Sequence, residues 1–171
     1  LMSDVTKNGG VLTLSPASDQ AALAIDADPT TSASVAGHQL SLSYQSEVAV
    51  RPLQYSVSVG TEPSANDPKS WTLMASNDGE TWIELDRQDA APFADRATTP
   101  RHTLNTDALY TRFRLNITAN HGGENTAVSD WQLVGALNTY LGFTAQGNDV
   151  CMADGLDKPT RYAVTAPTTT G

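Results

Sequence analysis

The stretch that decides the fold is D-P-K-S-W-T-L-M-A-S-N-D-G-E-T-W-I-E-L, residues 67–85. Two segments of alternating character, 71–75 and 81–85, flank the sequence Asn77-Asp78-Gly79. Gly79 can adopt the positive φ that a tight connection needs, and Asn and Asp favour turns by bonding to the neighbouring backbone. The stretch therefore predicts a β-hairpin.

Period-two alternation continues along the chain, and no amphipathic pattern longer than two helical turns interrupts it. Further strands are predicted at 11–15, 39–44, 53–59, 111–118 and 130–134. The connections between them are rich in turn-forming residues, as in 61–68 and 120–125. Many short strands joined in this way predict an all-β protein, an antiparallel β-sandwich. The inward faces are predicted to carry Leu53, Tyr55, Val57 and Val59 on one strand and Phe113, Leu115 and Ile117 on another, with Trp71, Trp82 and Trp131 in the core.

Composition limits the classes of partner. The 171 residues, with 39% hydrophobic and 17% charged side chains, suffice for one globular domain with a full core plus a remnant. No apolar run approaches the roughly 20 residues that span a bilayer. A formal net charge of −9 repels nucleic acids and anionic lipid surfaces, so neither nucleic-acid binding nor membrane insertion is expected. Cys151 is the single cysteine, which excludes an internal disulfide.

Four short motifs occur in a characteristic order. They are D-A-D-P-T-T at 26–31, N-D-P at 66–68 leading into Trp71, S-N-D-G at 76–79 with Trp82, and F-R-L-N-I-T at 113–118 followed by D-W-Q-L at 130–133. Together they resemble the discoidin or coagulation factor type C domains, including their bacterial carbohydrate-binding, galactose-binding-like relatives. The resemblance covers roughly residues 4–137 and implies a discoidin-type jelly roll that binds ligands and performs no chemistry.

The chain divides into two parts on this interpretation. Residues 1–137 are predicted to form the discoidin-like β-sandwich. In 138–171, the segment 153–164 aligns with 25–35, so that Asp154 matches Asp26 and Asp157 matches Asp28 when one residue is inserted. This indicates a linker and the start of a second, truncated copy, which would be docked on the first, swapped with a neighbour or poorly ordered. A chance match between two loops rich in Asp and Thr is the alternative.

A structural calcium ion is predicted near the first motif. Asp26, Asp28 and Thr31 supply closely spaced oxygens where Pro29 enforces a turn, and hard cations prefer such oxygens. The resemblance implies that the ligands are the carbonyl oxygens of Leu23 and Ser129 and the side chains of Asp26, Asp28, Thr31 and Asp130. In the alternative, these residues make local Asx-turns without an ion.

Candidate glycan-binding residues lie in the predicted loops. The resemblance implies that loops at one end of the sandwich bind the sugar through His, Arg or Asn and an aromatic face. The candidates here are His38, Asn66, Asp67, His121 and Asn125, with Glu124 beside them. None of these loops contains Trp or Tyr, which argues against tight sugar stacking. For each candidate taken alone, a solvated surface group is the favoured interpretation.

The predicted function is a non-catalytic carbohydrate-binding module of a larger secreted or cell-surface bacterial protein, such as a glycoside hydrolase. Its partners would be a glycan or glycoconjugate and the neighbouring domains of the parent chain. The predicted location is extracellular or on the cell surface, with the periplasm as an alternative. Motifs of common enzymes, G-x-S-x-G, H-E-x-x-H and C-x-x-C, are absent from the sequence. The alternative function is a structural or adhesion spacer that makes protein–protein contacts.

Overall fold

The computed structural model describes residues 2–89, 93 and 100–137. These residues form ten β-strands: β1 (Met2–Asp4), β2 (Val11–Ser15), β3 (Ala33–Ala36), β4 (Leu40–Ser58), β5 (Pro68–Ser76), β6 (Ile83–Asp89), β7 (Arg101–Thr103), β8 (Tyr110–Asn120), β9 (Asn125–Val128) and β10 (Asp130–Leu137). Short 3-10 turns occur at Val5–Lys7, Ala21–Ala24 and Ser64–Asn66. In this part of the chain, no helix has the length and apolarity needed to cross a membrane.

The long strand β4 belongs to both layers of the sandwich. Its first part lies between β2 and β8, where Leu42 pairs with Leu14 and Leu115. Its second part lies between β10 and β7, where Tyr55 pairs with Leu133 and His102. The register with β8 shifts between Gln45 and Val50, which marks the passage from one layer to the other. One layer therefore has the order β2–β4–β8–β5–β6, and the other contains β1, β10, β4 and β7.

Side chains from both layers fill one core. Leu42, Phe113 and Leu115 are fully buried on the first layer, and Tyr55 and Trp131 are buried on the second. The Tyr55 hydroxyl donates to Asp86 Oδ2 at 2.6 Å and accepts from Trp71 Nε1 at 2.9 Å, so these buried polar atoms are paired. Of the residues predicted to face inward, Tyr55, Val57, Val59, Phe113, Leu115 and Ile117 are buried, whereas Leu53 is only partly buried. The prediction of an all-β sandwich is confirmed.

The predicted hairpin is formed by β5 and β6. Gly79 has φ of +78°, as the turn requires. Asp78 Oδ1 accepts from the backbone N–H groups of Glu80 and Thr81, both at 2.8 Å. These bonds favour the ionised carboxylate and lower the pKa of Asp78 to about 2. The second strand begins two residues later than predicted, because residues 80–82 still belong to the turn.

Two predicted strands, 39–44 and 53–59, are one strand in the structure. The intervening residues stay extended, although Pro52 lacks an N–H group for the ladder. Pro52 pairs with Gly135 where the register of β10 shifts, and a Cβ on Gly135 would lie 2.1 Å from Val50 Cγ1. A bulge and a glycine therefore accommodate the proline inside a continuous strand.

Short pairings complete the fold. Strands β3 and β9 form a separate two-stranded sheet, and β1 pairs with the end of β10, with Met2 opposite Ala136. The last described strand ends at Leu137. The predicted linker and second copy, 138–171, lie outside the described residues.

Candidate functional site

Three connections come together at one end of the sandwich, namely 36–39, 64–67 and 120–125, and Asn120 joins two of them. Its Oδ1 lies 3.0 Å from His38 Nδ1 and accepts from the Gly122 N–H at 2.9 Å. Its Nδ2 donates to the carbonyl oxygens of Gly123 and Asn125 at 2.9 and 2.8 Å. Asn120 is only 7% exposed, so these bonds are shielded from water. The buried amide therefore fixes both the loop that follows it and the ring of His38.

Asn66 and Asp67 lie inside this loop end, since Asn66 is 8% and Asp67 1% exposed. The Gly123 N–H donates to the carbonyl of Ala65 at 2.9 Å, which ties 64–67 to 120–125. A Cβ on Gly123 would lie 2.0 Å from Asn66 Oδ1, so only glycine allows this approach. Both predicted residues are thus buried within the loop end instead of facing solvent.

His121 and the residues after it face outward to different degrees. The side chain of His121 is partly buried, and its Nε2 atom is buried without a hydrogen-bond partner among the described residues. Glu124 and Asn125 are exposed, while the Glu124 carbonyl accepts from the Gly37 N–H at 2.7 Å. The loop therefore contains a buried, unsatisfied imidazole nitrogen and two solvent-exposed side chains.

His38 borders an open depression of about 500 Å³. The polar side chains of Gln39, Ser41 and Asn116 line it, together with Ser15 and Pro16. Ser41 Oγ donates to Asn116 Oδ1 at 2.7 Å, which fixes the orientation of that amide. Neither Asn66 nor His121 lines the depression. Of the predicted glycan-binding residues, His38 alone contributes to it.

The segment 26–31, which we call the Asp26 loop, contains three predicted calcium ligands, and hydrogen bonds within the loop use their oxygens. Asp26 Oδ2 accepts from Thr31 Oγ1 at 2.6 Å, and Asp26 Oδ1 accepts from the Asp28 N–H at 3.0 Å. Asp28 Oδ1 accepts from the backbone and the hydroxyl of Thr30, and these bonds lower the pKa of Asp28. These are the Asx-turns of the alternative interpretation.

Asp130 is buried next to this loop and faces a lysine. Lys7 Nζ lies 3.0 Å from Asp130 Oδ1 and 2.8 Å from Asp4 Oδ2, and donates to the Trp131 carbonyl at 3.2 Å. Burial raises the pKa of Asp130, although the Lys7 ammonium and the Ala27 N–H act in the opposite direction. The ammonium thus occupies the place of a counter-ion.

The six predicted calcium ligands come from the 3-10 turn at Ala21–Ala24, the Asp26 loop and the start of β10. Ser129 is fully buried beside Asp130, and Leu23 lies in the 3-10 turn before the Asp26 loop. No three His, Cys, Asp or Glu side chains of the described residues come together as metal ligands. Calcium coordination by Asp130 would require the Lys7 ammonium, which lies 3.0 Å from Asp130 Oδ1, to move away from that carboxylate.

The expectation that all three tryptophans fill the core is wrong for Trp82. Trp71 and Trp131 are 2% and 0% exposed, but Trp82 is partly exposed. It belongs to the hairpin turn rather than to a strand, and the guanidinium carbon of Arg114 lies 4.2 Å from its ring centroid. The sequence prediction missed this surface because it placed the second strand at 81–85, whereas β6 begins at Ile83 and leaves Trp82 in the turn.

Comparisons with known proteins complete the description. No protein-family model matches the chain, and no curated protein does. Solved structures do match its fold. The CpGH89CBM32-5 structure from Clostridium perfringens, in complex with GalNAc-β-1,3-galactose, aligns with a TM-score of 0.66 at 11% identity, over 77% of this chain and 99% of that chain.

Two further structures agree. The family 32 carbohydrate-binding module of C. perfringens NanJ, in complex with galactose, has a TM-score of 0.65 at 12% identity and covers 78% of this chain and 99% of its own. An F5/8 type C domain of a Bacteroides fragilis protein has a TM-score of 0.63 at 18% identity, over 78% of this chain and 95% of that one. The fold is therefore that of the discoidin and family 32 modules, as the sequence motifs predicted.

Proposed function

We propose that this chain is a non-catalytic carbohydrate-binding module of a larger secreted or cell-surface bacterial protein. The observation that carries the proposal is the position of His38, which Asn120 holds beside an open polar depression on a fold that also occurs in sugar-bound modules. Such a module raises the concentration of its parent protein at a glycan, an effective-concentration effect.

The chemistry of the depression suits a sugar. Because Asn120 engages Nδ1 of His38, the ring has a fixed position and its Nε2 is left for a ligand hydroxyl. Asn116 accepts from Ser41 through Oδ1, which leaves its Nδ2 as a further donor. Pro16 adds an apolar surface at the side. Fixed polar groups around a small apolar surface are typical of saccharide sites.

A glycan-array screen with the purified chain tests this proposal. We expect binding to galactose-containing glycans and at least a tenfold loss in His38→Ala, because the variant removes the preorganised imidazole. His102→Gln is the matched control, since His102 lies on β7 against Tyr55, with ring centroids 4.9 Å apart. An array without signal, or an equal loss in both variants, would exclude the site at His38.

Calcium remains a prediction from the sequence resemblance. An ion that binds only the native state must raise the melting temperature. The prediction therefore expects a higher melting temperature in calcium chloride than in EDTA. Identical melting curves would leave Lys7 as the counter-ion of Asp130.

A spacer or adhesion domain is the second candidate. Asn66 and Asp67 are buried, and the described residues of 36–39, 64–67 and 120–125 include no aromatic ring other than those of the histidines. A loop end without Trp or Tyr favours weak sugar binding. The same array decides, because a spacer gives no glycan signal in any condition.

A further inference from the structure

A second concave surface lies on the outer face of the layer formed by β2, β4, β8, β5 and β6. Phe113 and Leu115 are fully buried, so the alternate residues of β8, Arg112 and Arg114, project from the opposite face. On the neighbouring strand β4, Ser43 pairs with Arg114. Arg114 Nε donates to Ser43 Oγ at 3.0 Å, which holds the guanidinium in place.

Trp82 covers one side of this surface. Its Nε1 donates to the Gly79 carbonyl at 3.2 Å, and the Arg114 guanidinium carbon lies 4.2 Å from its ring centroid. Gly79 also allows the close approach of Arg112, since a Cβ there would lie 3.3 Å from the Arg112 guanidinium carbon. Together with Thr13, these residues line a depression of about 240 Å³, which we call the arginine face.

Arg112 and Arg114 lie on the same face of β8 in a chain whose net charge is −9. Lys7, Arg51 and Arg87 each lie within 4.0 Å of a carboxylate, whereas Arg112 and Arg114, like Lys69 and Arg101, do not among the described residues. Arg112 Nε is moreover buried without a hydrogen-bond partner. An unsatisfied, partly desolvated guanidinium is costly, and a bidentate anion is the partner that its geometry matches best.

We propose that the arginine face binds an acidic saccharide. The carboxylate or sulfate group pairs with the guanidinium groups, the exposed part of Trp82 contacts the sugar ring, and Thr13, Ser43 and Gln45 bind its hydroxyl groups. The surface is formed by strand residues and by the hairpin turn, and includes neither His38 nor His121. The inference rests on the proposed function only in that the ligand is a carbohydrate.

Titration of the full chain with two acidic polymers tests the proposal. Polygalacturonate supplies carboxylates and dextran sulfate supplies sulfates, while neutral dextran serves as the control. Because Trp71 and Trp131 are buried, binding at this face should change the fluorescence of Trp82, and Trp82→Phe should abolish that change. We expect binding of at least one acidic polymer, weaker at high salt, and none of neutral dextran. The two polymers show which acidic group is preferred.

Variants locate the binding. Arg112→Gln and Arg114→Gln should each weaken binding at least tenfold, and Arg114→Lys, which keeps the charge but loses the planar fork, should give an intermediate loss. Arg87→Gln is the control, because Arg87 lies on the same layer and pairs with Glu84 at 2.7 Å. A melting curve of each variant verifies that it is folded. If a glutamine variant does not fold, Arg114→Lys tests the role of the guanidinium instead.

Three outcomes would overturn the inference. They are absence of binding to both acidic polymers, an equal loss in Arg87→Gln, and equal binding of duplex DNA, which would indicate unspecific attraction of polyanions. Galactoside binding at the loop end is measured in parallel with the same variants. If it persists while the acidic polymers fail to bind, the arginine face is excluded and the proposed function stands.

Discussion

Two polar loops of this domain differ in what their hydrogen bonds contribute. The connection 120–126 is organised by Asn120, which is 7% exposed and bonds to His38, Gly123 and Asn125. The Asp26 loop has bonds of similar length, but Asp26 is exposed. Water can replace the bonds of the exposed loop more readily than those of the amide, which is shielded from solvent. Burial, rather than composition, therefore decides which polar residues hold the structure together.

The largest effect is expected for Asn120→Ala. The variant removes a buried amide and leaves the partly buried carbonyl oxygens of Gly123 and Asn125 without their shared donor, so the free energy of unfolding should fall by about 3 kcal/mol. Urea denaturation measures it. Asn125→Ala, with an exposed side chain, is the control and should change it by less than about 0.5 kcal/mol. Equal losses of stability in Asn120→Ala and Asn125→Ala would show that burial of the Asn120 amide does not matter.

Adjacent glycines test how tightly the 120–126 connection is packed. Gly123→Ala would place a Cβ 2.0 Å from Asn66 Oδ1 and 2.9 Å from the Ala65 backbone, and we expect a loss of about 2 kcal/mol. Gly122→Ala meets no atom within 4 Å but must keep a φ of +100°, which costs about 1 kcal/mol. Urea denaturation of both variants measures these two losses of stability. A larger loss in Gly122→Ala than in Gly123→Ala would show that the loops separate easily.

Lys7→Met examines the buried carboxylate beside the Asp26 loop. Without the ammonium, Asp130 remains buried and unpaired at neutral pH, so stability should fall by about 2 kcal/mol. Burial already raises the folded-state pKa of Asp130 above its unfolded value, and the variant raises this pKa further. Because the folded-state pKa of Asp130 is raised, the folded state is most stable at low pH, where Asp130 is protonated. This stability is lost as the pH rises from the unfolded-state pKa through the folded-state pKa.

The loss in the free energy of unfolding that Lys7→Met causes should therefore be smaller at pH 4 than at pH 7. Lys69→Met, on the exposed side of β5, is the control and should show no such pH dependence. A loss of stability that does not change with pH would show that Lys7 acts through packing and not through its carboxylate partners Asp130 and Asp4.

The smallest effect is expected in the Asp26 loop itself. Thr31→Val removes an exposed bond to Asp26 and should cost about 0.5 kcal/mol or less in EDTA. Thermal melting in EDTA and in calcium chloride measures it. If Thr31→Val lost much more stability in calcium chloride than in EDTA, a bound ion would stabilise the Asp26 loop about as strongly as Asn120 stabilises the 120–126 connection.

Much of the fold could be predicted from the sequence. Alternation identified β2 to the residue and the cores of β5, β8 and β10, because long strands with one buried face have a clear period of two. The three- and four-residue strands β1, β3, β7 and β9 were not predicted, since so few residues carry no readable period. The continuity of β4 depends on the pairing of Pro52 with Gly135, which is a tertiary contact and has no local signal.

The candidate site was predictable only in outline. His38, Asn66 and His121 were chosen for their residue type and loop position, which cannot reveal burial. Asn120, the residue that orders the loop end, reads in the sequence as one more turn-forming asparagine. The arginine face was missed for a related reason, because its second wall is Trp82, which reaches Arg114 only after the hairpin has formed.

The pairing of β1 with β10 has a consequence for how the domain could be joined to other protein. Met2 lies opposite Ala136, so both ends of the described domain emerge at one pole. Asp130 lies at the other end of β10, roughly 23 Å from Leu137 at about 3.3 Å per residue. A host polypeptide could accept such a unit at a single point on its surface, with the histidine-bearing rim held out toward solvent.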